Sequence, residues 1–297
     1  MKKTVLYISN LLALLFMFSA CSSEETIIPA EVPFVDPFII PADKTDAESV
    51  LRRGFYERTG VHLVLRDEVG QTLDANGNPY TEMIDLQWGF TTQLSPDNYD
   101  ILEPEQQANA VAALEKYIIS HIHGEGSSLF SVYPVADYYD SYGDTQYIYN
   151  NVRCTLINMN QLLGAENEED IISGSKAILK KIAEAMLDNL SYDEKEAFYD
   201  FSEEYHYEYI VDYIDEWWDE QDMSYIYEYG FVNYNKDRYG DIDYDYFPSY
   251  IQDFYQYRDF VLDYSEEYVR DNFADYPLVI AKYELMKSLL IKAGYVL

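Results

Sequence analysis

Cysteine is almost absent: Cys21 and Cys154 are the whole supply. Two residues, one of them at the end of the first apolar run, leave no disulfide framework to hold the fold. Histidine is scarce as well, four in 297 residues, so an imidazole-based metal centre has few ligands to draw on. Positive charge is short: 20 Lys and Arg stand against 54 Asp and Glu, a formal net charge of -34. Such a surface repels phosphate backbones and anionic head groups, which argues against a nucleic-acid partner and leaves cations, basic peptides or solubility as what the acidity serves. The apolar run Leu11 to Phe18 is too short to span a bilayer.

What is present is enough apolar material, 48% of the residues, for one or two cores in a globular chain. Met1 to Ala20 reads as a secretory signal, with Lys2 and Lys3 ahead of the apolar run. Phe18-Ser19-Ala20-Cys21 resembles a bacterial lipobox, which implies that Cys21 is lipidated and becomes the new N-terminus. Ser22-Ser23-Glu24-Glu25 after it resembles the acidic signal that sends lipoproteins to the outer face of the outer membrane. Residues 22 to 43 carry Pro29, Pro33, Pro37 and Pro41 without a helical period, as a tether does.

Further on, Thr45 to Tyr56 reads as a short helix and Val61 to Leu65 as a strand. Asp74 to Pro79 is a turn in preference to a calcium loop. Glu103 to His121 reads as a helix. His121 and His123 follow it, and on an extended strand they would share one side, a pairing that a solvated loop explains better than a metal does. Leu129 to Val135 and Val152 to Met159 read as strands, Glu168 to Asn189 as a long helix, Tyr250 to Asp271 as another, and Pro277 to Ala293 as a closing helix with proline at its start and Gly294 at its end.

The chain is organised around 191 to 232. Ser191 and Glu194 form a capping box, and Phe198, Phe201, Tyr205, Ile210, Ile214 and Trp217 recur along one face of an expected amphipathic helix. Residues 191 to 270 hold 18 of the 32 tyrosines. Tyrosine buries a ring and keeps a polar tip, so the stretch reads as a wet aromatic core face or as a platform for sugar rings or peptide side chains. Asn235 to Tyr246 has part of an EF-hand spacing but ends on tyrosine where a bidentate glutamate is required.

Tyr199-Asp200-Phe201-Ser202-Glu203-Glu204-Tyr205-His206, the Val152 to Asn160 strand, Gly230-Phe231-Val232, the acidic aromatic stretch and the closing helix follow one another as in a family of bacterial lipoproteins. In this order the chain resembles the substrate import-associated zinc metallohydrolases, whose zinc helix carries H-E-[FY]-[SA]-H-I-L-H. Phe201, Ser202 and His206 match that pattern; Tyr199 and Glu203 stand at the two zinc-ligand histidines and Asp200 at the general base. The resemblance implies an α+β, zincin-like fold, a small mixed sheet followed by a mainly helical C-terminal half, with a signal over 1–20, a tether over 21–43 and a metallohydrolase-like domain over 44–297. It also implies an outer-membrane, surface-exposed lipoprotein beside a TonB-dependent importer.

Tyrosine is a poor zinc ligand, being neutral below about pH 10, and aspartate is one methylene short of the base it replaces. The expected protein therefore binds a peptide or glycan without cutting it and carries no cofactor. The alternative is a metal-dependent hydrolase, a peptidase, with an altered zinc site built from Glu203, His206 and Asp243 around Asp200; the E-x-x-H spacing of Glu203 and His206 suits a carboxylate-rich centre.

Overall fold

A computed structural model describes residues 33–84, 86, 98–122, 129–151, 153–214, 222–236 and 240–297. Cys21, His123, Trp217 and the middle of the EF-hand-like stretch lie outside the described residues. The architecture is mixed α+β. Among the described residues no helix is long and apolar enough to cross a membrane.

Contacts divide the chain into two units. The smaller comprises, among the described residues, 33–36 and 71–80. In it the Thr72 hydroxyl donates to the carbonyl of Val35 (2.6 Å), and Asp74 Oδ1 accepts from the backbone amides of Asn76 and Asn78 (2.8 Å each). That Asx arrangement is why the expected turn forms here.

The larger unit, 37–70 with 81–297, carries the rest. Helix α1, Ala47–Thr59, starts at Asp46, whose side chain accepts from Ser49 N, and ends at Gly60 with φ 70°. It leads into β1, His62–Leu63. Arg52 on α1 is buried and donates to the carbonyls of Leu63 (2.9 Å) and Val69 (2.8 Å). Burial pulls its guanidinium down to about 10.

Strands β2, Glu68–Leu73, and β3, Pro79–Met83, form a two-stranded sheet, of which residues 71–73 and 79–80 fall in the smaller unit. At Gly70 the chain passes so close to Pro37 that a Cβ would sit 2.2 Å from the proline carbonyl oxygen; only glycine fits. Phe38 beside it is 5% exposed, so this part of the expected tether packs onto the domain.

The main sheet is five-stranded and mixed. After β4, Tyr99–Ile101, comes α2, Pro104–Leu114, with a capping box between Glu103 and Gln106 and proline in its first turn. A π turn over Glu115–Ile119 carries it on to Ile122. Strand β5, Ser131–Tyr138, is central: it pairs in parallel with β1 and with β7, Thr155–Asn158, and antiparallel with β4. Strand β6, Ile148–Asn150, which was not expected from the sequence, pairs antiparallel with β7 at the edge. Pro134 in β5 has no N–H to give a ladder. It falls between the residues aligned with β1, ending at Val132, and those aligned with β4, starting at Val135.

Both faces of the sheet are covered. Val132 and Ile157 face a large core shared with the helices, while Tyr133, Val135 and Leu156 face a second cluster with Phe38, Val64 and Cys154. Burial on both sides is why these strands read as apolar runs instead of alternating. Burial also pushes the Cys154 thiol up to about 12.

The C-terminal half is helical: α3, Asn160–Leu163; α4, Glu168–Asp188; α5, Tyr192–Tyr199; α6, Ser224–Tyr227; α7, Tyr250–Asp263; α8, Glu266–Asn272; and α9, Pro277–Lys292. A small ladder, β8 (Asn235–Lys236) with β9 (Ile242–Asp243), precedes α7. Helix α9 packs on α7 and touches α5 and α4.

Two expectations are corrected here. The central helix has its capping box as expected, but it stops at Tyr199. A 3-10 turn, Asp200–Ser202, and a run of turns follow, and Tyr207 has φ 68°, which no continuing right-handed helix allows. The long helix over Tyr250 to Asp271 is two, because Ser265 caps a new start by accepting from Tyr268 N.

Candidate functional site

The stretch that follows Phe198 buries every fourth residue: Phe198, Ser202, His206 and Ile210 face inward, while Asp200, Glu203, Glu204 and Tyr207 face solvent. Opposite it, α9 has a buried stripe of Val279, Lys282, Tyr283, Met286 and Leu290, and α7 one of Asp253, Tyr257 and Val261. Where the three surfaces meet, Lys282 and Asp253 have fully buried side chains.

The Lys282 ammonium donates to Asp253 Oδ2 (2.5 Å) and to Ser202 Oγ (3.2 Å). His206 Nε2 lies 3.0 Å from the same Asp253 oxygen. The Ser202 hydroxyl in turn donates to the carbonyl of Tyr229 (2.9 Å). Rings of Tyr257, Phe198 and Phe231 stand 4.7, 4.8 and 5.0 Å from the ammonium, close enough for cation–π attraction. Burial pulls the Lys282 ammonium below its ordinary value, against the pull of Asp253 in the other direction.

Gly230, at φ 79°, closes the cluster from the side, where a Cβ would lie 3.1 Å from Ser202 Oγ and 3.2 Å from Leu278 Cβ; its carbonyl accepts from Tyr257 OH (2.8 Å). His206 Nδ1 and Asp253 Oδ1 are buried without a hydrogen-bond partner. The cluster is thus closed to solvent. Ser202 is 1% exposed and its proton is already committed to a carbonyl, so it is not a nucleophile in this conformation.

The residues expected to hold a metal do not converge. Tyr199 is half-buried among Phe198, Tyr250 and Phe254, and burial, followed by the neighbouring Tyr192, raises its phenol above the ordinary value, away from the phenolate a metal needs. Asp200 and Glu203 are exposed, whereas His206 turns inward to Asp253. Asp243 lies on β9, its carboxylate accepting from Asn235 Nδ2 (3.2 Å) and Asp245 N (3.0 Å). Among the described residues no three His, Cys, Asp or Glu side chains are grouped to hold a metal ion. Asp200 and Glu203 on the surface and His206 in the buried cluster thus share no common site in this structure.

In place of the expected solvated loop, His121 lies in a helical turn, Ser120–Ile122, and its Nδ1 is 3.3 Å from the carbonyl of Val296. Lys282 and Asp253 were missed by the sequence reading. Their signal was a charged residue within an apolar helical stripe: Lys282 in α9, and in α7 Asp253, with Arg258 buried as well.

In comparisons with protein-family models, curated proteins and solved structures, none matches this chain.

Proposed function

We propose that this chain is a lipoprotein anchored through Cys21 at the outer membrane, built on a zincin-like metallohydrolase scaffold, which binds a peptide or glycan beside a TonB-dependent importer and does not cut it. The observation that carries the reading is the fate of the zinc-helix segment. Its helix ends at Tyr199, the carboxylates at the base position and the second ligand position face solvent, and His206 is turned toward a buried lysine–aspartate pair. Supporting the scaffold part are the five-stranded mixed sheet and the helical half that follows it.

Metal analysis and a peptide-hydrolysis assay on the purified full chain test the reading together. The expected result is zinc well below stoichiometric and no cleavage. Stoichiometric zinc with cleavage that Asp200→Ala abolishes would overturn it in favour of a hydrolase with an altered site.

A further inference from the structure

The break between α7 and α8 makes a groove. Helix α7 stops after Asp263, Tyr264 crosses in extended conformation, and Ser265 starts α8. Tyr264 and Tyr268 thereby stack on each other, centroids 4.6 Å apart at 16°, and both remain 42% exposed. Their rings line a cavity of about 500 Å³ together with Tyr255, Gln256, Asp259 and Asp263. That volume is within the roughly 300–1,000 Å³ of small-molecule sites.

We infer that this groove is a binding site for a neutral oligosaccharide. The two carboxylates that line the groove are already paired, although the chain as a whole is strongly acidic, and the lining also includes Lys236. Asp259 pairs with Arg258 (2.8 Å) and Asp263 with Lys180 (2.6 Å), so a cationic ligand would have to displace existing partners. The walls are mainly α7 and α8, with Asn233 and Lys236 of the β8 segment at one side. The backbone N–H and C=O of Lys236 are already bonded to the Gln252 side chain (2.8 and 2.6 Å), so an extended peptide backbone would have to displace those bonds to pair there. What the groove does present is flat phenol faces beside amide and carboxylate edges. A sugar ring has the complementary arrangement: an apolar C–H face that rests on the negative face of an aromatic ring, and a rim of hydroxyls that both donate and accept. Gln256 adds an unmet need, since its Nε2 donates to the Tyr234 carbonyl (2.8 Å) while its Oε1 is buried without a donor. A hydroxyl seated in the groove, directly or through water, supplies that donor.

This site deepens the binding reading and fails separately from it, because sugar binding and peptide cleavage are read by different assays. Calorimetric titration of the full chain in detergent with maltohexaose, cellohexaose, xylohexaose and mannohexaose, and with hexalysine as the charged control, is the test. At least one hexasaccharide is expected to bind. Its affinity should fall about tenfold in Tyr268→Ala or in Tyr264→Ala, with unchanged circular dichroism, and should be indifferent to about 0.5 M NaCl, since no charge pair is screened. No binding by any of the four sugars, binding that both tyrosine variants leave intact, or salt-sensitive binding of hexalysine alone would each overturn the proposal.

Discussion

An ammonium without solvent contact stays charged only where its neighbours replace the lost water, and around Lys282 they do so incompletely. One carboxylate oxygen, one hydroxyl and three rings take that place, while the second oxygen of Asp253 and the Nδ1 of His206 have no partner. Taking two charges out of water costs several kcal/mol per ion, so a pair like this adds little net stability but cannot be halved. Asp253→Leu leaves a buried ammonium with no counter-charge, and Lys282→Met leaves a buried carboxylate with only His206. Each is expected to lose about 3–5 kcal/mol in urea unfolding, and the double variant Asp253→Leu with Lys282→Met to recover most of that loss. Additive losses in the double variant would show that the two side chains are not energetically coupled.

At the scale of elements, the start of α5 is held in two ways at once. Glu194 closes the capping box with Ser191 through the Ser191 N–H (2.7 Å), and Lys292 at the end of α9 pairs with its other oxygen (2.7 Å). Lys292 first, and then Ser191, hold the Glu194 carboxyl down to about 2, against an ordinary value of 4.5. A folded-state value below the unfolded one means that the unfolded chain takes up the proton first as pH falls. The stabilisation is therefore complete above 4.5 and is lost as pH drops toward 2. The stability difference between the parent chain and Glu194→Gln, measured by denaturation across this window, should be largest at neutral pH and disappear at its acid end. A difference that grows on acidification would contradict the assignment. Ser191→Ala is expected to cost about 1 kcal/mol at neutral pH through the lost cap.

For the whole molecule, the dominant long-range term is self-repulsion. With 54 acidic against 20 basic side chains, most carboxylates have no cation to pair with even if every Lys and Arg is used. Surface ion pairs such as Arg270 with Glu266 and Glu284 contribute about 0–1 kcal/mol each, less than the field of the unpaired excess. Raising NaCl from about 10 mM to about 0.5 M contracts the screening length from roughly 30 Å to a few ångströms. It is expected to raise the Tm by weakening repulsion more than it weakens the pairs. A Tm that falls over the same range would mean that local pairs outweigh the net charge.

Much of the architecture was legible in the chain because it rests on local rules. The capping box at Ser191, the proline at the start of α9, the Asp74 turn and the 21-residue helix α4 all follow from interactions within a few residues, which a sequence displays directly. The mixed order of strands, the edge strand β6 and the meeting of Lys282, Asp253 and His206 do not. They join residues far apart in the chain, Lys282 and Ser202 being 80 positions apart, and no local pattern encodes such a pairing. The sequence by itself determined the capped start of α5 at Ser191 and an apolar period expected to run on past Tyr199. Only the tertiary structure decided that the helix ends there, that His206 turns inward to a buried aspartate and lysine, and that the exposed tyrosines gather at the α7–α8 break. Burial and long-range packing, which settle those three points, are properties of the folded chain.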